Sequence, residues 1–180
     1  TVVEFGCNDG ILIKPLDKLG ITAVGIDASK NITEMARNEG MDVVTGYFGA
    51  DTASQLRERI GEVDLITGSN AFAHNDSPDI ILEGAKILLK PEGVFCVEVM
   101  YAGDLLEQNQ WDTLYHEHLT FYSLGTLSTL LNRYGFNVMH AERIPMHGGS
   151  LRIAATRKAD IEPTEETRQI LAYEEKLKIN

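Results

Sequence analysis

A chain of 180 residues, 43% of them hydrophobic, can bury most of its unfolded surface in one core, which excludes a disordered segment and predicts a compact domain with appendages. The 27 Asp and Glu outnumber the 16 Lys and Arg, and the formal charge of -11 repels phosphate backbones and anionic membranes, arguing against nucleic-acid or membrane partners. Two cysteines without a CxxC spacing, Cys7 and Cys96, and no apolar run near the roughly 20 residues that span a bilayer point away from a disulfide framework, a zinc knuckle or a membrane segment, and toward a reducing, cytoplasmic setting.

In chain order, "TVVEFG" is a β-branched, apolar run ending in glycine, a buried strand entering a turn. "ILIKPLDKLG" follows with helical spacing of Ile11, Leu12, Leu16 and Leu19, and Gly20 stands where a helix stops. "ITAVGID" reads as the second strand and "SKNITEMARNEG" as a helix from an Ser29 cap to a Gly40 stop. The alternation continues through "DVVTGYF" (strand), "TASQLRERIG" (helix), "EVDLITGSN" (strand), "SPDIILEGAKILLKPEG" (helix) and "VFCVEVM" (strand). Strict alternation means βαβ crossovers, hence an α/β, doubly wound, Rossmann-like sheet that is mostly parallel.

After Met100 the rhythm breaks. "YAGDLLEQNQWDTLYHEHLTFYS" has no clean period, and a loop this long within a compact domain is usually functional. Helical "LGTLSTLLNRYG" is followed by "FNVMHAERI" and "SLRIAATRK", which are close enough in sequence to pair antiparallel around "PMHGG". "PTEETRQILAYEEKLKIN" reads as an exposed helix, with Glu165 and Glu166 early and Lys176 and Lys178 late, as the helix dipole favours. Beginning at Thr1 directly in a strand-like run, the sequence is expected to be a piece of a longer protein.

Ligands of open α/β sheets sit beyond the carboxyl ends of the strands. The first such turn, "EFGCNDG", departs from the G-x-G-x-x-G dinucleotide fingerprint: counting from Gly6, the later glycine positions hold Asn8 and Ile11. A pyrophosphate needs bare backbone at a helix N-terminus. A phosphate-free cofactor such as S-adenosylmethionine tolerates Asn8 and Asp9, whose side chains can accept from an ammonium group or a ribose, between the turn-forming Gly6 and Gly10. Asp27 ends the second strand, about 20 residues further on, where a carboxylate can take both ribose hydroxyls. Helix capping before "ASKN" is the alternative for Asp27, and plain tight turning for the two glycines.

"VEFGCNDG", "VGIDAS", "GYF" after strand three and "LLKPEGVFCVEV" resemble, in order and spacing, the motifs of class I S-adenosylmethionine-dependent methyltransferases over about residues 1–100. The resemblance implies Gly6, Asn8, Asp9, Gly10, Asp27, Tyr47 and Phe48 as cofactor-binding residues, with Asn70 after the fourth strand. His74, in "GSNAFAHNDSPD", is expected near the reacting centre, with an ordinary structural histidine as the alternative.

The densest group of proton carriers is "YHEHLTFYS", Tyr115 to Ser123. His116 and His118 could share one face of a strand as metal ligands, but a third ligand has no evident position. They could also be hydrogen-bonded beneath the loop. General-base catalysis is the third reading. Transfer of a sulfonium methyl to a ready nucleophile needs mainly alignment, whereas transfer to carbon first requires loss of a proton. A histidine base, a hydroxyl or second histidine for the oxyanion, and a glutamate to hold the tautomer would supply that chemistry.

"YHEHLTFYS" with the later "HGGSLR" is similar to the C-methyltransferases that act on nucleotide-linked 4-keto deoxysugars. That resemblance implies His118 as the base beside the ketone and Tyr115, Glu117 and His74 as its companions. His116, His147, Gly148 and Arg152 fall on the substrate side, Arg152 as a candidate for phosphate and no residue as a metal ligand; a hairpin turn needing positive φ is the alternative for "HGG". Members of that family carry a cysteine-rich zinc-binding N-terminal segment and a further C-terminal domain, both absent from these residues. The expected organisation is a methyltransferase domain over 1–160 and a C-terminal helix over 161–180 leading into another domain, with a nucleotide sugar as small-molecule partner and the neighbouring domains as protein partners. An O- or N-methyltransferase of another metabolite and a catalytically silent binding module are the rival functions.

Overall fold

The computed structural model describes residues 1–114 and 116–179. Seven strands lie in the order β3, β2, β1, β4, β5, β7, β6. The chain divides into two compact units, Thr1–Gly68 with Asp79–Phe95, and Ser69–Pro78 with Cys96–Asn180.

In the first unit, β1 (Val2–Phe5), β2 (Ala23–Asp27), β3 (Val43–Thr45) and β4 (Val63–Ser69) alternate with α1 (Ile13–Lys18), α2 (Lys30–Asn38) and α3 (Ala50–Ile60), before α4 (Pro78–Leu88) and β5 (Leu89–Met100), whose residues from Cys96 on belong to the second unit. β1 pairs parallel with both β2 and β4, and β2 pairs parallel with β3. All four β1 residues are buried, as expected of a strand covered on both faces. Phe5 stacks between Phe48 and Phe95, with centroids 5.7 and 6.2 Å away. Gly68 leaves room for the Phe5 ring, which a Cβ at that position would meet at 2.3 Å.

The second unit holds α5 (Ala102–Glu107), α6 (Leu124–Arg133), β6 (Asn137–Ile144), β7 (Ser150–Thr156) and α7 (Glu165–Leu177). β6 and β7 pair antiparallel, from Asn137 against Thr156 to Ile144 against Ser150. The doubly wound, mostly parallel fold with an antiparallel final pair is therefore the observed one. Ser123 and Thr126 close a reciprocal capping box at the start of α6, and Leu124, Leu127 and Leu131 bury one helical face.

Four local expectations change. The first helix is only six residues long, and Ile11 and Leu19 are 80% and 74% exposed; the turn around Gly10, at φ +83°, delays the helix until Ile13. The strand expected from Val94 begins at Leu89, and Lys90 near its start pairs with Asp64 at 2.6 Å. The expected loop after Met100 contains α5 and a short 3-10 helix at Trp111–Thr113. The tail helix is not merely exposed. Thr167, Ile170 and Glu174 are buried, and the Glu174 carboxylate accepts the backbone N–H groups of Leu124 and Gly125 at the start of α6, at 2.5 and 2.8 Å. Among the described residues, no helix is long and apolar enough to cross a membrane.

Candidate active site

The glycine turn follows β1 because its backbone takes conformations that side chains resist. Gly6, Asn8 and Gly10 lie at φ +67°, +52° and +83°, and asparagine tolerates the left-handed region better than most residues. The Gly6 and Cys7 N–H groups donate to the Ile26 carbonyl at 2.8 and 3.1 Å, holding the turn beside the end of β2. Asp27 joins the loops after β1 and β2: one carboxylate oxygen accepts from Asn8 N–H at 3.0 Å and the other from Ser29 N–H at 2.8 Å. Ser29 occupies the cap position of α2 without a side-chain cap bond, so Asp27 holds the entry to that helix. A carboxylate has about four acceptor sites, so two backbone donors leave capacity for ribose hydroxyls. Capping and ligand binding are compatible roles for Asp27.

Glu4 is a further candidate, signalled by the acid in "EFG" but outside the expected ligand set. It is buried, and its Oε2 has no hydrogen-bond partner among the described residues. Burial, and then the charge of Asp27, push its carboxyl up to about 7. An orphaned buried carboxylate oxygen, with Asp27 close enough to perturb it, fits a cofactor bearing donors and positive charge and disfavours one bearing phosphates. Asn8 and Asp9 are exposed on the turn. Tyr47 is 80% exposed, whereas Phe48 is buried against Phe5.

In the second unit, Asn70 sits at φ +52° after β4 and donates its N–H to the Glu98 carbonyl at 2.9 Å. The 3-10 turn that follows carries His74, whose ring meets that of His118 edge-on with centroids 5.1 Å apart. Partial withdrawal from water, then the neighbouring His118, lower the pKa of His74 against the pull of Glu117. His118 also sets its ring edge-on to Phe121 at 5.6 Å, and its Nδ1 lies 3.3 Å from the Thr113 carbonyl oxygen.

His118, His147 and Gly148 line one cavity of about 420 Å³, together with Met100, Gln110, Asp112 and Thr113. The fold thus brings together the two segments the sequence singled out. His147, Gly148 and Gly149 have φ of +51°, +81° and +132°, so "HGG" does make the positive-φ turn between β6 and β7. Gly149 is additionally required by Asp104, whose carboxylate a Cβ would meet at 2.2 Å. Asp104 is itself buried and ion-paired with Arg143.

Other candidates stand apart from this cavity. His116 is 91% exposed on its side chain and approaches Glu117 at 3.9 Å; both occupy a turn instead of a strand face. Arg152 donates to Glu142 at 3.0 Å and to the buried Glu98 at 3.2 Å, so two carboxylates already meet its charge. Tyr115 lies outside the described residues. Gln110, Asp112 and Thr113 also line the cavity, although in sequence their side chains carry no distinctive signal beyond standing just before the histidine run.

The methyltransferase domain family matches residues 1–141. The C-methyltransferase NovU of Streptomyces niveus is 38% identical over 176 residues, covering 96% of this chain and 41% of that protein. The chain spans about two fifths of the length of the curated relatives it matches. A SAM-dependent methyltransferase from Anabaena variabilis superposes with a TM-score of 0.66 at 18% identity, covering 87% of this chain and 76% of that one. Magnesium protoporphyrin IX methyltransferase from Synechocystis with bound SAH gives 0.65 at 16% identity, covering 87% and 74%.

Proposed function

The chain belongs to the methyltransferase domain family, of the class I, S-adenosylmethionine-dependent type, and from that premise we propose that it methylates carbon, with a nucleotide-linked 4-keto deoxysugar as the acceptor. The observation that carries this reading is the shared cavity of His118, His147 and Gly148, with His74 against the His118 ring. An acceptor oxygen or nitrogen with a ready lone pair needs little more than alignment. Carbon needs a base, and a histidine on a cavity wall is suited to that task near neutral pH. The similarity to a C-methyltransferase along nearly the whole chain supports the same choice.

In this reading S-adenosylmethionine, when bound, supplies a sulfonium-activated methyl group. Within the first unit, Glu4, Asn8, Asp9 and Asp27 would hold it by accepting from its ammonium and ribose donors, with Gly6, Gly10, Tyr47 and Phe48 as further candidates; Asn70 is a candidate in the second unit. His118 takes the proton from the carbon beside the ketone: the C–H bond breaks, an N–H bond forms, and the electron pair is delocalised onto the ketone oxygen as an enolate. That nucleophilic carbon is what His118 would provide for the methyl group a bound cofactor would supply. His74, held toward its neutral form, together with Tyr115 and His147, is proposed to stabilise the enolate oxygen by donation, with Glu117 as a companion of the imidazoles and not of the oxyanion. His116, Gly148 and Arg152 are proposed to shape the substrate side, Arg152 through Glu98 and Glu142. Residues 1–160 form the catalytic domain in this account and 161–180 lead toward a neighbouring domain of the full-length cytoplasmic chain.

The test is a mass-spectrometric screen of the full-length protein, with labelled methyl donor, against 4-keto nucleotide sugars. Label on the carbon beside the ketone is the expected product; label on oxygen or nitrogen would refute the reading. Calorimetry with S-adenosylhomocysteine should show saturable binding that weakens in Asp27→Ala by about tenfold or more, the loss of one or two charge-assisted hydrogen bonds.

A further inference from the structure

We propose that Thr113 is a positioning residue that fixes the tautomer of His118, so that Nδ1 carries the proton and Nε2 is the nitrogen that receives the substrate proton. The inference rests on the carbon-methylation reading for its consequence, but not for its geometry. The backbone carbonyl oxygen of Thr113 faces His118 Nδ1 at 3.3 Å. A carbonyl oxygen can only accept, so the contact is a hydrogen bond only if Nδ1 is protonated. In neutral imidazole the lone pair then belongs to Nε2.

That carbonyl is anchored. The Thr113 N–H and hydroxyl both donate to the Gln110 carbonyl, at 3.2 and 2.7 Å, which closes the turn at Trp111–Thr113. The Gln110 N–H donates to the Leu105 carbonyl at 3.0 Å, tying the turn to α5. The Gln110 side-chain amide donates to the Gly148 carbonyl at 2.6 Å, tying it to the glycine loop. The orientation of that amide follows from its partner: with the group turned over, its oxygen would face another carbonyl oxygen. Thr113 and His118 thus reach the same cavity wall through a turn braced at both ends.

Thr113→Val removes the hydroxyl donor at nearly constant volume, and Thr113→Ser keeps it. Nitrogen-15 NMR of the ring-labelled full-length protein, with the His118 signals assigned by their loss in His118→Asn, should show the Nδ1–H tautomer in wild type and Thr113→Ser. In Thr113→Val the two tautomers should become mixed. kcat for methyl transfer should fall about tenfold to a hundredfold, the scale of a slightly misplaced catalytic group, with KM within about twofold and S-adenosylhomocysteine binding unchanged. Thr113→Ser should restore kcat. An Nε2–H tautomer in wild type, or a Thr113→Val protein with wild-type tautomer and kcat, overturns the inference. A wild-type protein that methylates no carbon refutes the functional reading instead, and the tautomer measured on it still decides the role of Thr113.

Discussion

Substitution of Glu174 should destabilise the second unit far more than a change in a solvent-facing tail helix would. Its carboxylate is fully buried and accepts the N–H groups of Leu124 and Gly125, two of the donors that α6 leaves unpaired at its first turn. Glu174→Ala removes both charge-assisted bonds, each worth about 1.5–3 kcal/mol, and strands the better-buried Leu124 donor. The favourable interaction of the carboxylate with the helix dipole is also lost. The Ser123–Thr126 capping box survives and limits the damage, so the expected loss is about 3–5 kcal/mol. For a chain of this size, about 2–4 °C of melting temperature accompanies each kcal/mol, giving a drop of about 6–20 °C. Glu174→Gln keeps one good acceptor and should fall between wild type and Glu174→Ala. Thermal unfolding followed by circular dichroism reads both. A Glu174→Ala protein that melts within about 2 °C of wild type would refute the assignment of Glu174 as the cap of α6.

Two further substitutions probe the turns. Glu4, raised to about 7 by burial and then by Asp27, binds its proton more tightly folded than unfolded, so its favourable contribution is full below about 4.5 and is lost as pH rises through about 7. Glu4→Gln should therefore match wild type near pH 4.5 and exceed it by about 2–3 kcal/mol above pH 7.5 in the cofactor-free protein; a stability difference that does not change with pH would refute the assignment. Gly149→Ala, at φ +132° and against the Asp104 carboxylate, should lower stability by about 2–4 kcal/mol through strain and displacement of the Asp104–Arg143 pair, read in the same melting assay; an unchanged melting temperature would contradict that close packing.

The parallel half of the fold was legible because its strands are short, apolar and covered on both faces, as "VVEF" illustrates. α1 was less so: apolar side chains at Ile11 and Leu19 satisfy helical spacing, yet the positive φ of Gly10 places Ile11 in a turn. The meeting of the histidine run with "HGG" on one cavity fits two motifs that were conspicuous for their residue types. What stayed hidden involves partners distant in sequence or groups without side-chain identity. Arg152 offers a cation in sequence, and only the fold reveals Glu98 and Glu142 against it. Thr113 reaches His118 through its backbone carbonyl, which no residue type announces. Phe48 stands out in sequence as a cofactor-side aromatic, and only the fold shows that it is also buried and stacked on Phe5.

In the proposed reaction His118 removes a proton from carbon before the methyl group is transferred. With S-adenosylhomocysteine in place of the methyl donor, the full-length protein should exchange the acceptor's proton beside the ketone for deuterium from D2O, detected by mass spectrometry. His118→Asn should abolish that exchange while binding S-adenosylhomocysteine with nearly unchanged affinity. Full exchange in His118→Asn would assign the base elsewhere, and methyl transfer by the wild type with no exchange would contradict deprotonation at carbon.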